Sequence, residues 1–354
     1  MDDVNWALYV SALLTGLLFG YVLQRGGFCL TRALSNAVLM GDATILRAYV
    51  LALLVAMIGV HTLMALGLIE VPIRPFRWVA NILGGGLFGV GMILSGGCSG
   101  STWYRVGEGA IGACVVLLGF AMGATTVSVG VLAPVRTWLQ APAVTLGGAA
   151  PTLHGLVGVS PWVVIAVLAA SAAVWLARPL LGELSRGRRG EASGYGNPGE
   201  RERAQPEHGK WSWPVTGIAV GVMIAAGWWA SGFGSRPAGI TFASNTGYLL
   251  TYPLVGYPTQ VTWSMAMLLG VPVGAFAGAW RAGDFRWKLP PGWSLLKLFG
   301  GGLLMGGAAL LAEGCNINQG LTNSATLSVG SLVTFASMAL GAWLAVWALY
   351  LRAP

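Results

Sequence analysis

The sequence predicts an all-α polytopic membrane protein of about nine transmembrane helices plus broken or re-entrant short helices, built as two pseudo-two-fold related halves with internal repeats. Three observations lead there. The 354 residues are 55% apolar and only 9% charged, with a mean hydropathy of +0.70, more apolar surface than a soluble domain can hide. Nine stretches reach the roughly 18 to 20 residues that a helix needs to cross a ~30 Å hydrocarbon core. A glycine-rich pattern ending in cysteine recurs three times, on both sides of a polar segment.

The spans fall near residues 6–24, 43–69, 79–97, 109–133, 157–177, 212–232, 261–280, 295–313 and 327–350. The first reads as a retained span and not a secretory signal, because Asp2 and Asp3 precede it where basic residues would stand. Residues 183–210 hold 11 of the 32 charged side chains, mixed with Gly, Pro and Ser. Such a segment buries too little apolar area to fold alone, so it is expected to be a polar cytoplasmic linker between an N-terminal half, 1–182, and a C-terminal half, 211–354.

Threading the spans in order places 16 of the 20 lysines and arginines on one side and only Arg74, Arg77, Arg136 and Arg236 on the other. Basic loops stay in the cytoplasm, so the amino terminus is expected outside and the carboxyl terminus inside. The net charge of +8 then reflects this bias, and no nucleic-acid partner is expected. The four cysteines show no C-x-x-C spacing and His61, His154 and His208 are scattered, so neither a metal site, a disulfide framework nor a cofactor is expected.

The repeats are "GLLFGYVLQRGGFC", "GGLFGVGMILSGGC" and "GLLMGGAALLAEGC". Each is G-x-x-x-G, eight residues, then Cys: Gly16, Gly20, Cys29; Gly85, Gly89, Cys98; Gly302, Gly306, Cys315. A fourth copy is expected within residues 232–244, where Arg236 and Thr241 match Arg25 and Thr31 loosely and no cysteine stands. The glycine pair gives one helix face two hydrogen side chains a turn apart, which lets a neighbouring helix approach closely in lipid. After it, glycine, cysteine and helix-starting residues follow: Thr31; Ser99, Ser101 and Thr102; Asn316 and Asn318.

This is the pattern of a helix that stops, turns at a thiol and restarts. Such breaks at membrane depth must be buried in protein or line a wet cavity, and they aim helix amino termini at a central site that suits an anion. In the nine-span count Cys29 and Cys98 face the cytoplasmic side and Cys315 faces outward; breaks dipping to the centre would align the three. A buried thiol stays protonated, soft and weakly donating, which suits transient contact with a sulfur-bearing anion. Gly97 and Gly314 belong to the turns. Arg25, Arg105, Glu108 and Glu313 are ionisable groups near the breaks and thus candidate supporting residues. Cys114, inside "GACVVLLGF", reads as a small apolar residue.

The stretches "LQRGGFC", "GGCSGSTWYRVGEG" and "GCNINQGL" resemble the YeeE/YedE family of bacterial sulfur-transport membrane proteins. The resemblance implies a multi-pass protein of the bacterial inner membrane that takes up thiosulfate, with Cys29, Cys98 and Cys315 passing the intact anion by transient S–H contacts. It also implies a small TusA-like sulfur-carrier partner on the cytoplasmic side. The family's third motif reads G-C-N-I-G, whereas Asn318 stands at its last position here. Selenite or sulfite is the alternative cargo within this class. A membrane sulfurtransferase forming a cysteine persulfide is the alternative from another class, and it would need a base or cation near the thiol.

Overall fold

The computed structural model describes residues 6–145, 150–189, 210–232, 237–256 and 261–352. Helices account for nearly all of its regular structure; the described residues form no strand, only isolated bridges such as Ala110 with Lys288. The first half comprises α1 (Trp6–Gly26), α2 (Leu30–Leu39), α3 (Thr44–Ala65), α4 (Trp78–Leu94), α5 (Ser99–Gly107), α6 (Ile111–Ser128), α7 (Ala133–Gln140), α8 (Leu153–Val157) and α9 (Pro161–Arg189). The second comprises α10 (Trp213–Ser231), α11 (Ala243–Val255), α12 (Trp263–Ala282), α13 (Gly292–Leu311) and α14 (Val329–Val346). Between α13 and α14 the chain winds through a π-helical stretch, Asn318–Asn323, and a 3-10 turn, Ser324–Thr326.

Among the described residues eight segments are long and apolar enough to cross a membrane, two of them continuous with a short helix beyond a break: Trp6–Leu39 and Trp78–Gly107. The ninth expected span corresponds to the apolar stretch Pro161–Ala177 at the start of α9; Thr152 caps α8 and Gly158 ends it in the left-handed conformation just upstream. α9 then runs to Arg189; residues 190–209 of the expected linker lie outside the described residues, as does Arg236.

Glycines decide which helices meet. A Cβ on Gly16 or Gly20 would run into the carbonyl oxygens of Met267 or Val271, so α1 lies backbone to backbone on α12. Gly85 and Gly89 do the same for α4 on α14, at the carbonyls of Thr334 and Met338, and Gly302 and Gly306 for α13 on α6, at Val116 and Phe120. The fourth tight pair is α10 on α3, where a Cβ on Gly217 or Gly221 would come within 2.8 or 2.6 Å of the carbonyl oxygens of Ala48 or Ala52. Small faces of this kind replace the hydrophobic drive that is missing between helices in lipid.

All four pairings join one half to the other and are the most extensive among the described residues. Exchanging α1 with α10, α3 with α12, α4 with α13 and α6 with α14 maps this set of pairings onto itself.

Candidate functional site

The three cysteines sit at helix breaks of one construction. α1 closes through Gly27 N to Gln24 O and Phe28 N to Leu23 O, both 3.1 Å, with Gly27 at φ +56°. Ala33 N then donates to Cys29 O at 3.0 Å, which starts α2. At the second break Gly96 takes φ +67°, Gly97 N reaches Met92 O at 3.2 Å, and Thr102 N donates to Cys98 O at 2.9 Å. At the third, Glu313 takes φ +60°, Gly314 N reaches Ala309 O at 2.8 Å, and Gln319 N donates to Cys315 O at 2.7 Å.

Each thiol therefore follows a left-handed residue by two positions, and neither Cys29 nor Cys98 uses its side chain as a cap. The fourth break shares the offset: Gly239 is at φ +59° and Thr241 stands two residues on, ahead of α11. Thr241 thus occupies the register of the cysteines, not that of Thr31 as the sequence comparison suggested. Its hydroxyl accepts from Asn245 Nδ2 at 2.7 Å.

The breaks converge. Cys29, Cys98 and Cys315 are 2%, 1% and 0% exposed, and contacts among their neighbours bring the three breaks together. The Cys29 and Cys98 side chains are close enough to perturb one another, and Ser101, whose Oγ donates to Cys98 O at 3.0 Å, stands beside both. Ser99 Oγ donates to Asn316 Oδ1 at 3.0 Å, linking the residue after Cys98 to the residue after Cys315. Tyr49, from α3, donates to Asn316 O at 2.7 Å and has Cys98 and Cys315 within electrostatic range. Its ring is stacked between Phe28, beside Cys29, and Phe335, with centroids at 5.3 and 5.2 Å. Gly320 leaves the room that the Tyr49 hydroxyl fills.

Asn316 carries the most informative unmet valence. It is fully buried, its oxygen is taken by Ser99, and its Nδ2 finds no hydrogen-bond partner among the described residues. An unpaired buried amide donor costs about 1–3 kcal/mol, so its place beside Cys315 suits an acceptor arriving from outside. Asn318, buried at 3%, presses its Oδ1 against Gly314 and accepts from Asn323 Nδ2 at 3.3 Å. The side chain that replaces the family's glycine therefore braces the turn.

The flanks of this centre differ. Beyond Cys315 lies a narrow cleft lined by Arg74, Asn81, Glu313, Gln319 and Asn323, among others. Glu313 Oε1 pairs with Arg77 Nε at 3.5 Å and its carbonyl accepts from Arg74 at 3.3 Å. Burial pushes the Glu313 carboxyl above the usual carboxylate range, with Arg77, Arg74 and Arg136 pulling the other way. Beyond Cys29 and Cys98, Gln24 Nε2 donates to Glu108 Oε1 at 3.3 Å and Arg105 donates to Gly96 O at 3.0 Å. Burial also raises Glu108, against the Gln24 hydrogen bond and the charges of Arg105, Lys288 and Lys210. Arg25 contributes its carbonyl, which accepts from Trp211 N at 2.9 Å. Gly97 has no room for a side chain beside Ser101 Oγ, which a Cβ would approach to 2.9 Å.

Sequence reasoning missed Tyr49, Gln319 and Asn81. Gln319 Nε2 donates to Ala312 O at 2.7 Å while its Oε1 accepts from Ser331 at 2.7 Å, and Asn81 Nδ2 donates to Thr334 at 2.6 Å. A lone amide or phenol inside an apolar span was the available signal. The fourth glycine pair, Gly217 and Gly221 of α10, was also visible but stands farther from its break than the other three do.

A polytopic helical bundle with soft thiols and a free amide donor at a buried meeting of broken helices is a membrane transport protein. More particularly, the chain belongs to the sulphur transport family, whose model matches residues 25–344. It is 29% identical over 349 residues to the thiosulfate transporter TsuA of Escherichia coli (strain K12), covering 98% of this chain and 96% of that protein. It is also 29% identical over 357 residues to TsuA of Spirochaeta thermophila, covering 97% and 99%. The probable transporter YedE of Salmonella typhimurium matches at 30% over 132 residues, 34% of this chain and 32% of that one.

Proposed function

We propose that this protein is a permease that admits thiosulfate into the bacterial cytoplasm as the intact anion, along Cys315, Cys98 and Cys29 in that order. The observation that carries the proposal is the convergence of three buried thiols at helix breaks. The near full-length similarity to two proteins named thiosulfate transporters supports the cargo. The order rests on the flanks: the Glu313 cleft adjoins the Cys315 break, Ser99 beside Cys98 bonds Asn316 beside Cys315, and Gln24 ahead of Cys29 bonds Glu108.

In this reading Arg74 at the mouth of the cleft attracts the dianion, Asn316 Nδ2 donates to one of its oxygens, and neutral S–H groups touch its sulfane sulfur in turn. Weak successive contacts let the ion leave as readily as it enters. The cleft side is outside and the Glu108 side cytoplasmic, with the amino terminus outside. A TusA-like acceptor would take the ion or its sulfur beside Arg25, Arg32, Lys210 and Lys288. Lys210 is depressed, by burial first and by Arg32 next, as expected for a crowded basic rim.

The test is growth on thiosulfate of a bacterial strain without its own sulfate and thiosulfate uptake. Wild type and Cys114→Ala should restore growth, and Cys29→Ala, Cys98→Ala and Cys315→Ala should each fail at matched expression. Growth of all four variants would overturn the thiol path. A persulfide on the purified protein after thiosulfate exposure, seen as a gain of one sulfur in mass, would favour the sulfurtransferase; selenite or sulfite uptake surviving thiol loss would favour the other cargoes.

A further inference from the structure

Away from the thiols, α7 packs across α4, α6 and α13. None of its eight residues is buried, and Trp138 and Val135 are 73% and 49% exposed. A short helix with an exposed tryptophan at the end of a bundle of spans belongs at the level of the lipid head groups.

Beneath it runs a groove of about 300 Å³. The small residues Gly123, Gly307 and Ala308 contribute to it, together with aliphatic side chains such as Leu87, Val127 and Leu303. Two side chains with polar atoms line it, Thr126 and Arg136. The Thr126 hydroxyl is already committed to Met122 O at 2.8 Å. Arg136 instead has a buried Nε without a hydrogen-bond partner among the described residues.

We infer that this groove holds an acyl chain of an anionic phospholipid whose phosphate is received by Arg136. The occupant follows from position: the wall faces the hydrocarbon, where chains are the available filler, and the aliphatic lining offers them nothing polar. The charge follows from Arg136: its guanidinium fork takes a phosphate, and an anionic head group, unlike a zwitterionic one, has no ammonium of its own to compete for it. An empty groove would leave its lining without contact partners and the Arg136 donor unmet.

The site also reaches the transport path. α7 ends in Gln140, which donates to Leu310 O and Leu311 O at 3.1 and 3.0 Å and accepts from Arg77 at 3.1 Å. Arg77 is the partner of Glu313. A lipid that holds α7 down therefore braces the last turn of α13, just ahead of the Cys315 break.

The full chain in detergent, given equal amounts of phosphatidylglycerol and phosphatidylethanolamine, should retain phosphatidylglycerol preferentially by native mass spectrometry. Arg136→Gln should lower that preference about fivefold, the worth of one basic residue near an anionic membrane surface. Leu303→Trp, which enlarges a half-exposed groove residue, should remove the bound lipid of either kind. Thermal unfolding guards against a misfolded variant: added phosphatidylglycerol should raise the midpoint of the wild type and raise that of Arg136→Gln less. A lipid adduct that survives Leu303→Trp, a preference that survives Arg136→Gln, or no adduct on the wild type would each overturn the inference.

Discussion

Glu313 combines two unfavourable choices: a left-handed backbone that L residues avoid at roughly 1–2 kcal/mol, and a buried carboxyl. Arg77 and Arg74 hold both in place. Because burial raises its pKa, the native protein keeps a proton that the unfolded chain has already released between the ordinary carboxylate value and the raised one. That contribution to stability is full below the ordinary value and is lost as pH rises through the raised one. Thermal midpoints measured across that range should fall with rising pH, and Glu313→Gln should flatten part of the fall. Glu108 has the same sign, so the slope should vanish further in the double variant with Glu108→Gln. Asn316→Asp keeps the acceptor for Ser99 but replaces the free donor with a group that repels anions, and initial thiosulfate uptake should drop by more than about tenfold. Uptake at the wild-type rate would remove Asn316 from the path. The cysteines and Glu313 were legible in the sequence because glycine-marked helix stops announce them. Tyr49 was not, since its role depends on Phe28, Phe335 and Asn316, which only tertiary structure brings to it.

At the scale of elements, the glycine pairs make a sharp contrast. A leucine at Gly20 must displace the carbonyl of Val271, whereas a Cβ on Gly86 would meet nothing within 4 Å. Gly20→Leu should therefore destabilise the protein by about 2–3 kcal/mol or prevent its accumulation, while Gly86→Leu should behave like wild type in detergent thermal-unfolding assays. Equal behaviour of the two would contradict the backbone contact between α1 and α12. The broken helices were foreseeable at three sites from glycine, thiol and restart residues. The fourth was harder to place because its glycine pair and Gly239 are separated by more residues than at the other three breaks, so only a loose match of Thr241 with Thr31 was available.

For the whole molecule, composition alone gave the class and nearly all the spans, and the basic residues gave an orientation that can be measured. In a Cys114→Ser background, a cysteine at Trp138 should react with a membrane-impermeant maleimide in spheroplasts, and one at Arg352 only after the membrane is opened. The reverse pattern would invert the proposed direction of transport. What the sequence could not supply was the partner of each helix, because G-x-x-x-G states that a close neighbour exists without naming it. The structure pairs each such helix with one from the opposite half, and this has a bearing on how the protein is made. While the ribosome is still translating the intervening segment, the first half stands in the bilayer with its glycine faces uncovered, open to any passing helix. Timely arrival of the second half is then part of correct biogenesis. By the same logic, the two halves produced from separate messages in one cell should find each other and assemble into a working transporter.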